Sequence, residues 1–116
     1  MMIRQFDIWL CDLNPAGGTV PSKIRPVLIV QTNHLNKVAH PSTAILPFTS
    51  VIFDKAKILR INLLPDSENG LEKDSAILID QIRAIDNKKL IKKLGIISSP
   101  QVQKNIKDAI KLLLDL

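Results

Sequence analysis

Hydrophobic and polar positions divide most of the chain into short strands. Residues 6–13 alternate, with Phe6 and Ile8 on one face and Asp7 and Trp9 on the other, which predicts a first strand. Runs rich in aliphatic residues predict further strands at 23–30, 43–50, 56–64 and 75–85. Turn residues separate these runs, with a loop expected at 14–22 and a tight turn at 65–70. The polar segment 32–36 fits a turn or a single helical turn.

Two segments near the end of the chain predict helices. Asp86 is suited to cap a two-turn helix over 87–94, with Gly95 placed to end it. Ser99 and Pro100 occupy the favoured first positions of a last helix. The apolar residues of that helix recur at helical spacing: Val102, Ile106, Ala109, Ile110 and Leu113.

The 116 residues therefore predict one domain, 1–116, of the α+β class. The domain is expected to be mainly β with some α structure. Short strands with short turns indicate a small barrel, accompanied by a short helix and a C-terminal helix. The polar pair Asp80-Gln81 marks a bend or bulge that splits 75–85 into two strands.

The segment 23–30 places a cation at the mouth of a buried strand. Pro26 fixes its own φ angle and favours an extended backbone at Arg25, so the guanidinium has a rigid support. One interpretation is a soluble flank that limits aggregation of an apolar strand. The other is an anion-binding group, because a guanidinium matches the oxygens of a phosphate.

Charge and composition narrow the classes of partner. A net charge of +5 favours an anionic partner such as nucleic acid, although a lysine-rich soluble surface would give the same value. Much of the excess lies at Lys88, Lys89, Lys92, Lys93, Lys104, Lys107 and Lys111, which the pattern assigns to helices. With three Phe, one Trp and no Tyr, RNA binding would depend on phosphate contacts and hydrogen bonds rather than base stacking.

Other candidate chemistry is sparse. Cys11 is the single cysteine and is expected to be a small buried hydrophobe, while His34 and His40 lie in loop-like surroundings and are expected to be solvated. No metal site, cofactor or membrane-spanning run is indicated, and without a signal-peptide pattern we expect a cytoplasmic protein. Metal-free RNA cleavage needs a base, an acid and a cation. Arg25 suits the last role, and Thr49 or Ser50 could donate to phosphate or simply serve a turn.

Five sequence blocks, in order, resemble the MazF/PemK family of toxin endoribonucleases. They are 7–15, 25–30, 47–50, 70–75 and 80–86, and the last helix also matches in position. The resemblance implies an SH3-like barrel, a homodimer, and metal-independent, sequence-specific cleavage of single-stranded RNA to a 2′,3′-cyclic phosphate and a 5′-hydroxyl. It also implies a cognate antitoxin whose segment, usually acidic, would cover the basic RNA groove.

The same resemblance suggests site residues. Family catalytic positions correspond to Arg25 and Thr49, and an acidic position proposed to assist proton transfer or binding corresponds to Asp80, which could instead be a structural hydrogen-bonder at the bend. We expect RNA contacts from Lys23, Ser50, Gln81 and Arg83.

The chain departs from the family pattern before Arg25. Many relatives have a Glu-Gln pair there, whereas this chain has Val20-Pro21, which leaves the general base unassigned. The departure keeps open an alternative function, a non-catalytic binding module of the same fold: a gyrase-poisoning toxin or a nucleic-acid-binding regulator.

Overall fold

A sheet of seven antiparallel strands forms most of the fold. The computed structural model describes residues 2–14, 23–51 and 59–116. Within these ranges the strands are β1 (Asp7–Asp12), β2 (Ile24–Ile29), β3 (Ser42–Thr49), β4 (Arg60–Leu63), β5 (Ser75–Leu78), β6 (Arg83–Asp86) and β7 (Leu90–Ile96). The helices are α1 (Asn33–Asn36) and α2 (Pro100–Leu114). Neither of these two described helices has the length and hydrophobicity that a membrane span requires.

The strand order is β4-β5-β3-β2-β1-β7, and β6 pairs with β3. One edge of β3 is shared: its residues 42–45 pair with β6, and Phe48 and Thr49 pair with β5. A single 3-10 turn, Ile79–Gln81, connects β5 to β6, so the predicted bend at Asp80-Gln81 is confirmed. The α+β class is also confirmed, but the expected barrel is not closed, since β4 and β7 end the sheet without pairing within the described residues.

Two prolines limit the pairing around β3. Val30 N–H donates to Ala44 O at 3.1 Å, so the even-numbered residues of β2 direct their backbone groups to β3. Pro26 is one of these residues and has no N–H to donate, and the β2–β3 ladder ends at the Val27–Pro47 pair. On the other edge of β3, Pro47 lies between the part paired with β6 and the part paired with β5.

Two hydrophobic cores cover the two faces of the sheet. The larger core lies under α2 and includes Ile8, Leu28, Phe48 and Ile106, and the smaller core consists of Trp9, Cys11, Val27, Ile29, Ile45 and Leu90. Alternate residues of β2 therefore enter different cores, as expected for a strand buried on both faces. Ser99 Oγ accepts from Val102 N–H at 3.3 Å, which confirms the predicted start of α2.

The predicted helix over 87–94 is wrong. Asp86 does cap a turn, accepting from Lys88 N–H at 2.9 Å, but the turn ends at Lys89 and β7 begins at Leu90. Leu90 pairs with Cys11 and enters the smaller core, and this pairing completes the edge of β1. Tertiary pairing thus overrides a local apolar spacing that also fits a helix. Lys92 and Lys93 accordingly lie on a strand.

The remaining predictions concern connections. The turn at 32–36 contains the single helical turn α1, capped by Thr32 Oγ1, which accepts from His34 N–H at 3.3 Å. Of the predicted loop 14–22, only Asn14 belongs to the described residues, and Val20-Pro21 lies outside them. Residues 56–58 of the predicted fourth strand also lie outside.

Cys11 is fully buried in the smaller core, as predicted. Burial raises the pKa of its thiol to about 11, while the nearby positive charges of Arg83 and Lys89 act in the opposite direction and Asp12 adds to the rise. The thiol is therefore protonated at neutral pH and has little nucleophilic character.

We expect iodoacetamide to leave Cys11 unmodified in the folded protein at about pH 8, because the thiolate is scarce and the sulfur is inaccessible. Mass spectrometry after timed exposure measures the modification. The same reagent should modify the cysteine once guanidinium has unfolded the chain. Comparable modification rates in both states would contradict the buried, protonated assignment.

Candidate functional site

A groove opens where β2 and β3 separate beyond the Val27–Pro47 pair. Its volume is about 490 Å³, within the usual range of roughly 300–1,000 Å³ for small-ligand sites. The apolar part of its lining consists of Leu10, Ile24, Pro26, Phe48, Val51, Leu71 and Leu94. The polar part consists of Arg25, Thr49, Ser50, Glu72, Lys73, Ser75 and Lys92. The groove thus combines apolar surface with cations and hydroxyls.

Arg25 lies at the exposed start of β2, opposite Cys11 of β1. Extending the β2–β3 register by two residues brings Arg25 opposite Thr49, and both residues line the groove. Arg25 forms no hydrogen bond or ion pair with any residue the structure describes. Its guanidinium therefore has its donors available for an anion, supported by a strand that is buried in both cores from Val27 onward.

Thr49 ends β3 and is half-buried. Its Oγ1 accepts from Val51 N–H at 3.2 Å, so the turn role expected of a strand-terminal hydroxyl does occur. A hydroxyl carries one proton as well as two lone pairs, so accepting this bond leaves the proton free to donate into the groove. The two interpretations of Thr49 are therefore compatible. Ser50, which follows it, is exposed in the same groove.

The other four residues predicted from the sequence do not line this groove. Asp80 and Gln81 are exposed on the 3-10 turn, and within the described ranges Asp80 forms no hydrogen bond that would assign it to the bend. Lys23 is exposed just before β2. Arg83 is exposed on β6, and its effect on the pKa of Cys11 indicates that its charge lies near the Cys11–Arg25 pair. All four residues therefore lie outside the lining of the groove.

The segment 70–75 supplies one wall of the groove, which sequence reasoning missed. Its residues Glu72, Lys73 and Ser75 line the groove, although the sequence used this block only for the family resemblance. Lys92 was missed because the pattern assigned it to a helix, whereas on β7 it pairs with Leu10. The turn signal of 65–70 was the sequence cue that a fixed loop precedes this wall.

Hydrogen bonds of the Asn69 side chain hold the loop that precedes this wall. The residue is buried, and its Oδ1 accepts from Asp66 N–H at 3.2 Å and from Leu71 N–H at 3.0 Å. Its Nδ2 donates to Leu64 O at 2.9 Å. Asp66 in turn accepts from Asn69 N–H and Glu68 N–H, both at 2.8 Å. Buried hydrogen bonds of this kind hold one loop conformation.

Two glycines allow the loop to pack closely against β7. Gly70 has a positive φ of 68°, and a Cβ there would collide with the carbonyl oxygen of Leu94. A Cβ at Gly95 would collide with the carbonyl oxygen of Glu68, and Ile96 N–H donates to that same oxygen at 3.0 Å. The wall of the groove is thus attached to the sheet by direct backbone contact.

Positively charged side chains outnumber negatively charged ones in the described lining of the groove. Arg25, Lys73 and Lys92 supply three cations, and Glu72 is the one carboxylate among the described lining residues. None of these four forms an ion pair with another described residue. No group of three or more potential metal ligands occurs in residues 2–14, 23–51 and 59–116. The excess of positive charge suits the groove to a phosphate-bearing ligand.

Comparisons with known proteins show the family to which the chain is similar. Residues 4–114 match the family described as PemK-like, MazF-like toxin of type II toxin-antitoxin system. Endoribonuclease MazF of Staphylococcus saprophyticus is 37% identical over 115 residues, which cover 99% of this chain and 93% of the relative.

Solved structures support the fold. MazF from Deinococcus radiodurans superposes with a TM-score of 0.77 at 19% identity, covering 100% of this chain and 99% of that one. A mycobacterial endoribonuclease in complex with its cognate antitoxin has a TM-score of 0.77 at 19% identity, covering 98% and 96%.

We expect Asn69→Ala to lower the free energy of unfolding by about 1–3 kcal/mol, because it leaves the buried N–H group of Leu71 without its acceptor. Urea titration followed by circular dichroism measures the change. Ser67→Ala is the control, since Ser67 is exposed on the same loop and its side chain makes no described hydrogen bond. Equal stability of the two variants would show that the loop does not depend on Asn69.

Proposed function

We infer the function from membership of a family: this chain belongs to the PemK-like, MazF-like toxins of type II toxin-antitoxin systems. It is an endoribonuclease toxin, and we propose that it cuts single-stranded RNA in a sequence-specific and metal-independent way. The products are a 2′,3′-cyclic phosphate and a 5′-hydroxyl. The observation that carries the proposal is the free guanidinium of Arg25, which lies across the groove from Thr49.

Arg25 binds the scissile phosphate. As the 2′-oxygen attacks phosphorus, negative charge grows on the non-bridging oxygens, and a fixed cation stabilises that charge more than it stabilises the bound substrate. The planar fork of a guanidinium can donate to two of these oxygens at once. Since the guanidinium stays charged throughout the physiological pH range, its main contribution is electrostatic.

Thr49 donates a hydrogen bond to a non-bridging oxygen of the same phosphate. Its Oγ1 is held in place by the N–H of Val51, which restricts the direction in which the remaining proton can point. Because Arg25 and Thr49 come from two different strands, they can hold the phosphate from both sides of the groove.

Ser50 and residues outside the groove lining extend the RNA-binding surface. Lys23, Ser50 and Arg83 supply a cation, a hydroxyl and a second guanidinium for flanking phosphates and sugars. Gln81 can read the edge of a base through its amide, and Asp80 beside it can accept from a base amino group or a ribose hydroxyl. We therefore assign Asp80 to RNA contact, outside the lining of the groove.

Assembly and location follow from the family. We propose that the toxin acts as a homodimer in the cytoplasm and is held inactive by a cognate antitoxin. A net charge of +5 for each chain gives a dimer +10, that is 2 × 5, which favours an acidic antitoxin segment over the RNA surface.

We expect Arg25→Ala to slow cleavage of single-stranded RNA at least about 100-fold, because the developing charge loses its cation. Fragments are resolved by gel electrophoresis in EDTA, and end analysis identifies the cyclic phosphate. The plot of log RNA affinity against log salt concentration should also become less steep by about 0.7, because one phosphate contact is removed.

The control is Arg4→Ala, because Arg4 is exposed and lies outside the groove. Arg25→Lys should fall between the two variants, since an ammonium keeps the charge but not the planar fork. Intact RNA after incubation with wild-type protein would instead favour a non-catalytic binding module of this fold.

We expect Thr49→Val to reduce the cleavage rate about 100-fold, because the variant keeps the shape of the side chain but lacks the donor to phosphate. Thr49→Ser retains the hydroxyl and should keep most of the rate. Single-turnover kinetics on one labelled RNA compares the variants directly. Equal rates for Thr49→Val and Thr49→Ser would remove the hydroxyl from the mechanism.

A further inference from the structure

We propose that Glu72 is the general base that takes the proton from the attacking 2′-hydroxyl. This proposal rests on the function proposed above, which assigns a cation and a hydrogen-bond donor but no proton acceptor. Glu72 is the one carboxylate among the described residues that line the groove with Arg25 and Thr49. Carboxylates are established general bases, whereas neither a guanidinium nor a threonine hydroxyl accepts a proton at neutral pH.

The backbone at Glu72 is held in place by the protein, which suits a general base. It follows Leu71, whose N–H donates to the buried Oδ1 of Asn69 and whose side chain is buried in the larger core. Gly70, one residue earlier, is in backbone contact with Leu94 of β7. The backbone that carries the carboxylate is therefore held by two independent anchors.

The carboxylate itself is free to act. Glu72 is exposed and forms no hydrogen bond or ion pair with another described residue. By contrast, Asp66 on the same loop is occupied by the N–H groups of Glu68 and Asn69. The Glu72 carboxylate can therefore accept a proton without breaking a hydrogen bond of the described fold.

Other candidate bases are less well placed. Asp80 lies on the 3-10 turn between β5 and β6, and His34 and His40 are exposed in and after α1, so none of the three lines the groove. The loop carboxylate of many relatives has no counterpart here, since residues 20 and 21 are Val and Pro. In this chain Glu72 takes that chemical role from the segment 70–75.

Three cations line the same groove as Glu72: Arg25 on β2, Lys92 on β7 and Lys73 on its own segment. Only an ionised carboxylate can accept a proton. A cleavage rate that depends on this base should therefore decline on the acidic side of the pH profile. No histidine lines the described groove to contribute a second titration on this acidic side.

The step balances as follows. The Glu72 carboxylate takes the proton of the 2′-hydroxyl, and the 2′-oxygen forms a new bond to phosphorus. The bond from phosphorus to the 5′-oxygen breaks, and that oxygen keeps the electron pair and takes a proton from water. The hydroxide that results recovers the proton from Glu72, so the carboxylate is regenerated without any oxidant, reductant or cofactor.

The test compares Glu72→Gln with the wild-type protein on one RNA across the acidic pH range. We expect kcat to fall at least about 100-fold at neutral pH, and the acid-side decline of log kcat to disappear. Affinity for a 2′-deoxy analogue, which cannot be cleaved, should stay within about threefold, because the change removes a proton acceptor rather than a binding group.

Two further variants keep the result interpretable. Glu68→Gln makes the same chemical change on the same loop but outside the groove, so it should leave both rate and pH profile unchanged. Glu72→Ala leaves space for a small carboxylate, and added formate should restore part of its cleavage rate. Urea titration of each variant checks that the fold is intact.

Several outcomes would overturn the proposal. Cleavage by Glu72→Gln at the wild-type rate, with the wild-type decline of log kcat at acidic pH, would overturn it. A change in RNA affinity with an unchanged kcat would also overturn it. Faster cleavage would show that the carboxylate only repels RNA. If Asp80→Asn, rather than Glu72→Gln, abolished the decline of log kcat at acidic pH, the general base would be Asp80. Failure of wild-type protein to cut RNA would reject the proposed function itself.

Discussion

The register between β2 and β3 is the constraint on which the rest of the structure depends. Val27 and Ile29 enter the smaller core, Leu28 enters the larger one, and Val27 pairs with Pro47. Because both faces of β2 are buried, a slip of one residue would exchange the side chains between the cores. The register is therefore held strongly, and it is this register that brings Arg25 to the same end of the sheet as Thr49.

The groove exists because that ladder stops. Pro26 lacks the N–H that an even-numbered residue of β2 would direct to β3, and Pro47 lacks one on the opposite edge. In a sheet interior such gaps weaken the structure. Here the two cores compensate for the missing backbone bonds, and the separated strand ends leave room for a substrate between a cation and a hydroxyl.

The sequence predicted the features that depend only on neighbouring residues. The support of Arg25 by Pro26 and a buried strand could be read directly from 23–30, as could the caps at Asp86 and Ser99. The segment 87–94 was assigned to a helix because Leu90, Ile91 and Leu94 share one helical face, and only pairing with β1 makes it a strand. Glu72 had no signal of its own, because its position depends on Asn69 and on backbone contact between Gly70 and Leu94.

These long-range contacts also explain how groups from separate elements can act together. Glu72 follows a loop that touches β7, β7 pairs with β1, and β1 pairs with the β2 residue Arg25 through Cys11. Each link is a backbone contact or a ladder pair, so the distance between the two backbone positions that carry the carboxylate and the guanidinium is set by the sheet. A loop held only by its own hydrogen bonds would let that distance vary, and small errors in such geometry reduce catalytic rates severely. Gly70 and Gly95 thus transmit the rigidity of the sheet to the wall of the groove.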